Sequence, residues 1–405
     1  MSQLAENLIK EWWSNPAPTI IPRDIDLMPY YNLPVKKIVS LVGFRRVGKT
    51  YIFLDFANKI GKENCLYINF EDERIPKDVS FLSDIIGTLT EIAGSKNFTL
   101  LFDEIQNIPD WNIWARRIVE TTNHKLFITG SSSKLALTTI KVNSLSFGEF
   151  LRFKKVDFNL LPEPNRLNLV REYITYGGFP EVSSVDEGTK ILIINEYYNT
   201  FVSRDIIERH KIRKVELLNN LIKLILNSPL YTISNLTKSL KSMGYDTGKA
   251  TISRYISYLE ESFFLKNLEL HTPSIKKRGK ASRKPYLVDN SFLFRFSTEF
   301  SNNFGRLMEN VVFNNLANTY YWQNYQSREI DFVVREKEVN IKLIQVSFVE
   351  AKATINKREM DNLILGSKIL KCDDLTLITW NVEDVVKING KIIKMIPLFK
   401  FLLNL

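Results

Sequence analysis

The sequence predicts an α/β protein whose N-terminal part is a parallel sheet with helices on both faces. Short apolar, β-branched runs alternate with segments of helical periodicity up to residue 150. Three of these runs (36–42, 99–102 and 125–128) are followed directly by glycine, acidic or hydroxyl residues. Because ligands of parallel sheets bind at the carboxyl ends of the strands, the same alternation predicts where the chemistry of this domain lies.

The composition is that of a folded, basic protein of more than one domain. The chain has 405 residues, of which 44% are hydrophobic and 25% are charged. Its net charge of +10 favours a polyanionic partner, although basic proteins that bind no nucleic acid also exist. The two cysteines and three histidines lack the close spacing of a zinc site. No run of about 18 apolar residues occurs, so we expect a cytoplasmic protein without a membrane span.

A glycine-rich loop follows the first strand directly and precedes a helical segment. It reads GFRRVGKT, a complete Walker A motif. The motif consists of Gly43, Phe44, Arg45, Arg46, Val47, Gly48, Lys49 and Thr50. In such a loop the backbone N–H groups bind phosphate, Lys49 neutralises the β- and γ-phosphates of ATP, and Thr50 ligates Mg²⁺. A chance glycine loop is the alternative, and the flanking strand and helix argue against it.

Two adjacent acids, Asp103 and Glu104, follow the apolar run 99–102. This is the pattern of a Walker B motif, in which Asp103 holds Mg²⁺ and Glu104 orients or deprotonates the attacking water. The alternative is that the acids only cap the next helix. Together with the glycine loop, they predict ATP hydrolysis as the reaction.

A polar cluster, TGSSS, follows the next run at 129–133. Alone it would indicate a turn. Beside the two Walker motifs it is a candidate sensor of the γ-phosphate, and Ser131 is the residue we assign to that role.

With these residues in place, the chain resembles an archaeal and bacterial family of AAA-type P-loop ATPases. In that family a winged-helix segment and a restriction-endonuclease-like domain follow the ATPase. The segments that carry the resemblance are GFRRVGKT, FDEIQNIPDW, ITGSSS, SFGEFL, YGGFPEV and FVSRDI. The expected parts are a P-loop ATPase core at 1–160, a helical lid at 161–212, a winged helix at 213–290 and a nuclease-like domain at 291–405.

The sequence departs from this family between ITGSSS and SFGEFL. The family usually has a Gly-Arg pair there, and this chain has LALTTIKVN, which contains no arginine. An arginine finger must therefore come from Arg204, from Arg152 or from a neighbouring subunit. The last case would require a homo-oligomer.

The middle of the chain has the element order of a winged helix. Three helical patterns (217–226, 234–243 and 247–261) precede a hairpin suggested by 263–270 and 286–289. Double-stranded DNA is the expected partner, and the candidate contacts are Lys249, Arg254, Lys276, Lys277, Arg278 and Lys280. The last four belong to a loop, 275–284, with six positive charges and no acid. A solvated lysine-rich loop and a protein-docking surface are the alternatives.

The C-terminal part resembles the restriction-endonuclease-like fold. Glu309, Asp331 and Gln345 match its metal-binding positions, but Ser347 stands where that fold has a lysine. A displaced lysine, Lys352, is one substitute, and pairing of the two acids with a base such as Arg328 is the other interpretation. We expect little or no DNA cleavage.

Two classes of function remain open at this stage. One is an ATP-driven enzyme that acts on nucleic acid. The other is a nucleotide-switched regulator that binds a partner protein and hydrolyses ATP slowly. The Walker motifs are compatible with both.

Overall fold

The computed structural model describes residues 2–16, 18–94, 96–130, 138–298, 303–326 and 328–404. The chain forms two compact units, one comprising Met1–Asn143 with Glu261–Phe263 and the other Ser144–Glu260 with Phe264–Leu405. Ser131, the predicted sensor, lies outside the described residues. Among the described residues, no helix combines the length and the apolar character that a membrane crossing needs.

Strands and helices alternate in the first unit, and the second unit begins with a run of helices. The strands are β1 (Ile38–Val42), β2 (Cys65–Asn69), β3 (Thr99–Asp103), β4 (Lys125–Gly130), β5 (Thr138–Lys141), β6 (Leu265–Leu268), β7 (Lys284–Leu287), β8 (Thr319–Gln323), β9 (Glu329–Glu336), β10 (Val339–Val346), β11 (Leu375–Thr379), β12 (Asp384–Ile388) and β13 (Lys391–Pro397). The α-helices are α1 (Gln3–Ser14), α2 (Met28–Tyr31), α3 (Lys49–Ile60), α4 (Val79–Ala93), α5 (Trp111–Thr121), α6 (Phe147–Phe153), α7 (Glu163–Tyr176), α8 (Pro180–Ser183), α9 (Glu187–Thr200), α10 (Val215–Leu226), α11 (Ile233–Ser242), α12 (Lys249–Glu261), α13 (Ile275–Lys280), α14 (Asn290–Phe296), α15 (Phe304–Asn314), α16 (Lys357–Leu370) and α17 (Leu398–Leu403). A π-helix, Phe201–Glu208, continues α9.

The first unit contains the predicted parallel sheet. Its strand order is β2-β3-β4-β1-β5, and every neighbouring pair is parallel. β1 and β3 are buried along their whole length, as expected for central strands of a parallel sheet flanked by helices. β4 lies between β1 and β3, so the loops that follow these strands open at the same edge of the sheet.

The second unit contains a mixed sheet and a group of helices. The six-stranded sheet has the order β12-β13-β11-β10-β9-β8. The β10–β11 and β11–β13 pairs are parallel, and the other pairs are antiparallel. With α15 and α16 packed on its strands, the C-terminal part is α/β.

The last part of the predicted ATPase core, up to residue 160, packs with the elements that follow it. Residues 144–160 belong to the second unit, because Phe147 and Phe150 of α6 each pack 5.3 Å from the Tyr173 ring of α7, between ring centroids. The same hydrophobic core includes Tyr286 and Phe332. The predicted lid, the β6–β7 hairpin and the nuclease-like part therefore contribute to one core in the structure.

Three helices and a hairpin follow one another in the middle segment. α10, α11 and α12 lie close to their predicted positions and precede the antiparallel pair β6–β7. Tyr231 adds a further backbone pairing with Arg283. This is the element order that the sequence predicts for 213–290.

The segment between β6 and β7 differs from the predicted loop at 275–284. Part of it is α13, whose N-terminus is capped by the Ser274 side chain. Lys284 lies in β7, paired with Leu268 of β6, and is buried. The run of cations is visible in the sequence. The Ser274 cap and the pairing of Lys284 with β6, which fix the two ends of this segment, are not.

The YGGFP turn is a packing feature. Gly177 has φ +76°, and a Cβ atom there would lie 1.7 Å from Asp289 Oδ1. Gly178 N donates to Asp289 Oδ2 at 2.9 Å, and its carbonyl oxygen accepts from Leu145 N at 2.7 Å. The two glycines thus allow the turn to close against Asp289.

Candidate functional site

The glycine loop joins β1 to α3 in a conformation that its residue types permit. Gly48 has φ +94° at the N-terminus of α3, a backbone state that glycine adopts without strain. A Cβ atom at Gly43 would lie 2.2 Å from the carbonyl oxygen of Val142. The first turn of α3 supplies backbone N–H groups without helical partners, which is how helix N-termini bind phosphate.

Lys49 is the first residue of α3, and its side chain is folded back into the loop. Its Nζ donates to the carbonyl oxygens of Gly43 at 3.2 Å and Phe44 at 3.1 Å. It also lies 3.6 Å from Glu104 Oε1. The side chain is 5% exposed, so these partners compensate for the loss of water around the ammonium group.

Asp103, at the end of β3, is surrounded by hydroxyl groups. Its Oδ2 accepts from Thr50 Oγ1 at 2.5 Å and from the Tyr67 hydroxyl at 3.0 Å. Its Oδ1 accepts a hydrogen bond from Thr129 Oγ1. These contacts place the Walker A threonine beside the first Walker B acid, as the two motifs predict.

Burial raises the pKa of Asp103, and the neighbouring charge of Glu104 raises it further. Hydrogen bonds from the surrounding hydroxyls act in the opposite direction and lower this pKa. The hydroxyls are neutral donors, so they stabilise the carboxylate without cancelling its charge. Among the described residues, no cationic side chain pairs with Asp103, so the position beside this carboxyl group is left to a metal ion.

Glu104 adopts a left-handed backbone conformation, with φ 53° and ψ 40°. This conformation is unfavourable for a residue with a side chain and is held by its surroundings. The Glu104 N–H donates to Thr129 Oγ1 at 3.0 Å, and Gln106 Nε2 donates to the Glu104 carboxylate. The backbone and the carboxylate of Glu104 are thus both fixed by neighbours.

Sequence reasoning did not single out four residues that shape this site: Tyr67, Gln106, Thr129 and Arg23. Thr129 lies in the polar cluster 129–133 and directly bonds both Walker B residues. Arg23 donates to the carbonyl oxygen of Val47 at 2.6 Å and to that of Asn143 at 3.0 Å. Only Thr129 carried a signal in the sequence, because it is the first hydroxyl after the apolar run 125–128.

The remaining predicted contacts lie in the second unit. Arg152 is on α6 and Arg204 is in the π-helix, and the arginine-finger assignment stays a prediction. The candidate DNA contacts are exposed on two helices, with the exception of the half-buried Arg278: Lys249 and Arg254 on α12, and Lys276, Lys277, Arg278 and Lys280 on α13. Arg278 donates to the carbonyl oxygen of Thr272 at 2.9 Å.

The structure brings together Glu309, Asp331 and Gln345, the three predicted nuclease-like residues. Gln345 Oε1 accepts from the Asp331 N–H at 3.4 Å. Between the two acids lies Lys284 of β7, whose Nζ is 2.9 Å from Glu309 Oε1 and 3.0 Å from Asp331 Oδ1. The same ammonium also pairs with Glu329.

The two bases proposed from the sequence for this cluster are therefore wrong. Lys352 pairs with Asp384, and Arg328 Nη1 donates to Asn362 at 3.3 Å. Lys284 takes the role instead because it lies in β7, a strand that the sequence placed two residues later. In the sequence, Lys284 falls within the predicted loop 275–284, as one of its six positive charges.

Electrostatics favour an ionised lysine in this cluster. Burial lowers the pKa of Lys284, but the carboxylate of Glu309 and the other surrounding acids outweigh burial and raise it well above its usual value. Burial raises the pKa of Glu309, and the charges of Lys284 and Arg306 reverse the effect and bring it below its usual value. The described residues include no group of three or more His, Cys, Asp or Glu side chains arranged to hold a metal ion. The cluster does not fit a metal because an ammonium group lies at its centre.

The chain is similar to known domains and proteins along most of its length. Residues 35–152 match the AAA domain, and residues 167–302 match a domain of unknown function. The chain is 33% identical to the uncharacterized protein MJ1544 of Methanocaldococcus jannaschii, over 95% of this chain and 91% of that protein. It is 30% identical to an uncharacterized protein of Haemophilus influenzae, over 84% of this chain and 88% of that protein.

Solved structures show a more distant likeness. The Walker-type ATPase of Pyrococcus abyssi has a TM-score of 0.44 and 12% identity, covering 73% of this chain and 95% of its own. DnaA of Aquifex aeolicus, solved with AMPPCP bound, has a TM-score of 0.28 and 13% identity, covering 64% and 88%. The chain belongs to the family of the Methanocaldococcus jannaschii protein, and its residues 35–152 form an AAA-type P-loop ATPase domain.

Proposed function

We propose that this protein hydrolyses ATP with Mg²⁺ in its AAA domain and couples the reaction to binding of double-stranded DNA. One observation carries the ATPase proposal. The Thr50 hydroxyl lies 2.5 Å from the buried carboxylate of Asp103, with Lys49 and Glu104 beside them. The Walker A and Walker B residues thus form one site.

The donor set fits Mg²⁺, because a hydroxyl and a carboxylate are the hard oxygen ligands that this ion takes beside nucleotide phosphates. When bound, Mg²⁺ neutralises charge on the β- and γ-phosphates. Thr50 and Asp103 are the residues that would hold it. The loop N–H groups and Lys49 bind the phosphates, and Lys49 exchanges its bonds to loop carbonyl oxygens for bonds to phosphate.

Glu104 is the residue assigned to the attacking water. Its N–H donates to Thr129, the hydroxyl that also bonds Asp103, and its carboxylate is oriented by Gln106. A carboxylate held in this way accepts a proton from water or aligns it for attack. The left-handed backbone of Glu104 is consistent with this role, since such strain is frequent at functional sites.

DNA binding is the second part of the proposal. α10, α11 and α12 with the β6–β7 hairpin are interpreted as a winged helix, and α12 presents Lys249 and Arg254 to solvent. The basic helix α13 lies in the hairpin connection, where wings contact phosphates. The net charge of +10 supports a polyanionic partner.

The C-terminal domain is proposed to have a structural or DNA-holding role and not to cleave DNA. Its acids are neutralised by Lys284, whereas hydrolysis of a phosphodiester by this class of fold needs those acids to hold a metal. A fold can keep its architecture without its reaction. This assignment agrees with the absence of a lysine at position 347.

The decisive experiment measures ATPase rate with and without duplex DNA at two salt concentrations. We expect DNA to raise the rate, and the rise to shrink at high salt because phosphate contacts are screened. A DNA-independent, slow ATPase would instead favour the regulator that binds a partner protein. A protein without any ATPase activity would contradict the first part of the proposal.

Variants on α13 sharpen the same experiment. Lys276→Ser, Lys277→Ser and Lys280→Ser together should weaken duplex binding about equally across sequences and flatten its salt dependence. The matched control removes the same charge from exposed positions of the C-terminal part: Lys357→Ser, Lys368→Ser and Lys387→Ser. Equal losses in the two triple variants would show that net charge, not α13, determines binding.

A further inference from the structure

A basic cavity of about 360 Å³ lies in the second unit, between residues 210–214 and one face of α12. The α12 residues that line it, Thr251, Arg254, Tyr255 and Tyr258, recur at helical spacing. The other side of the cavity is formed by the segment that follows the π-helix.

The lining carries several positive charges and no carboxylate. Lys211, Arg213, Lys214 and Arg254 are all exposed to solvent. Within the described part of the chain, none of these four forms an ion pair with an acid. Lys214 Nζ donates to the backbone carbonyl oxygen of Asp246 at 2.9 Å, which fixes this side chain and leaves its charge uncompensated.

Aromatic rings hold the two sides of the cavity together. The rings of His210 and Tyr258 stack with centroids 3.6 Å apart and an interplanar angle of 9°. Tyr255, one turn earlier on α12, is buried. The stack joins residues 210–214 to α12, so the cations from the two segments are held near each other before any ligand binds. Such preorganisation lowers the cost of binding.

We propose that this cavity is a phosphate-binding site. Its volume falls at the low end of the range of about 300–1,000 Å³ for ligand pockets, enough for a phosphate group together with part of the molecule that carries it. Arginine presents several N–H donors in a planar fork that matches phosphate oxygens, and two arginines line the cavity. The phosphate belongs either to a DNA backbone or to a free phosphorylated molecule. Only the choice between these sources depends on the proposed function.

The first test uses inorganic pyrophosphate and isothermal titration calorimetry. The Lys49→Ala protein is used so that the glycine loop does not contribute. We expect Arg213→Ser with Arg254→Ser to weaken pyrophosphate binding by at least about tenfold, because charge-assisted hydrogen bonds are removed. Lys238→Ser with Lys241→Ser removes the same charge from exposed positions on α11 and should leave the affinity unchanged. Equal binding by the two double variants, or no binding before either change, would overturn the proposal.

The second test identifies the source of the phosphate. Labelled duplex DNA is titrated at several salt concentrations into the otherwise unaltered protein and into the same two double variants. If the source is DNA, the cavity variant flattens the salt slope by about 1 for each DNA phosphate that it no longer binds, and the α11 variant does not. If DNA binding fails or does not respond while pyrophosphate binding does, the ligand is a free phosphorylated molecule. The cavity proposal stands in both cases, and the DNA proposal falls only if no DNA binds.

Discussion

Two pairs of carboxylates in this protein have similar sequence signals and different surroundings. Asp103 is bonded by three hydroxyls and has a lysine near its neighbour Glu104. Glu309 and Asp331 share the ammonium group of Lys284. Hydroxyls stabilise a carboxylate without supplying a positive charge, whereas a lysine supplies a cation from the chain itself. The acids alone therefore do not define a metal site, and what neutralises them decides its chemistry.

The largest expected effect is at the first pair. Lys49→Ala should abolish nucleotide binding or turnover, whereas Glu104→Gln should keep ATP bound and slow hydrolysis by roughly 10²–10⁴-fold, the usual contribution of a general base. Nucleotide binding by calorimetry and single-turnover hydrolysis separate the two effects. Glu73 is an exposed acid of the same unit, and the Glu73→Gln control should behave as the unaltered protein. An unchanged rate in Glu104→Gln would remove this residue from the mechanism.

At the second pair, we expect the main effect on the free energy of unfolding. Lys284→Met leaves three acids, Glu309, Glu329 and Asp331, without their shared cation, and breaking a buried ion pair on one side costs about 3–5 kcal/mol. Denaturant unfolding measures this decrease. Lys352→Met, at an exposed lysine, should cost less than about 1 kcal/mol. A Lys284→Met protein as stable as the unaltered one would show that the cluster does not depend on this charge.

Divalent ions sharpen the contrast between the two pairs. In Lys284→Met the acids have lost their internal cation, so Mn²⁺ should raise the Tm of this variant more than that of the unaltered protein. The unaltered protein with Mg²⁺ or Mn²⁺ should show little or no cleavage of duplex DNA on a gel. Cleavage that disappears in Asp331→Ala would contradict the assignment of Lys284 as a substitute for the metal.

The sequence predicted that the residues of the first pair's surroundings lie together, and predicted the surroundings of the second pair only in part, for a physical reason. Gly43 to Thr50 are contiguous, and Asp103 ends a buried parallel strand, so local pattern and sheet topology together bring them to one edge. Lys284 depends on pairings between distant residues, such as Tyr231 with Arg283. β7 begins two residues earlier than the predicted strand. Lys284 is therefore a buried ion-pair partner and not a charge in a loop. The hydroxyl of Tyr67 was missed similarly, because β2 gives no sign in the sequence of its position beside β3.

The smallest expected effect concerns the hydroxyls that distinguish the first pair. Thr129 donates to Asp103 and accepts from the Glu104 N–H, so Thr129→Val removes the donor to a buried carboxylate and the acceptor of a partly buried N–H. Each unsatisfied group costs about 1–3 kcal/mol, and the decrease should appear both in unfolding free energy and in ATP turnover. Ser40→Ala is the matched control, because the Ser40 hydroxyl is buried and has no hydrogen-bond partner among the described residues. Removing it should leave stability and turnover nearly unchanged. If the two substitutions had equal effects, the hydroxyl of Thr129 would merely fill space, and the contrast between hydroxyl-bonded and lysine-bonded acids would lose its basis.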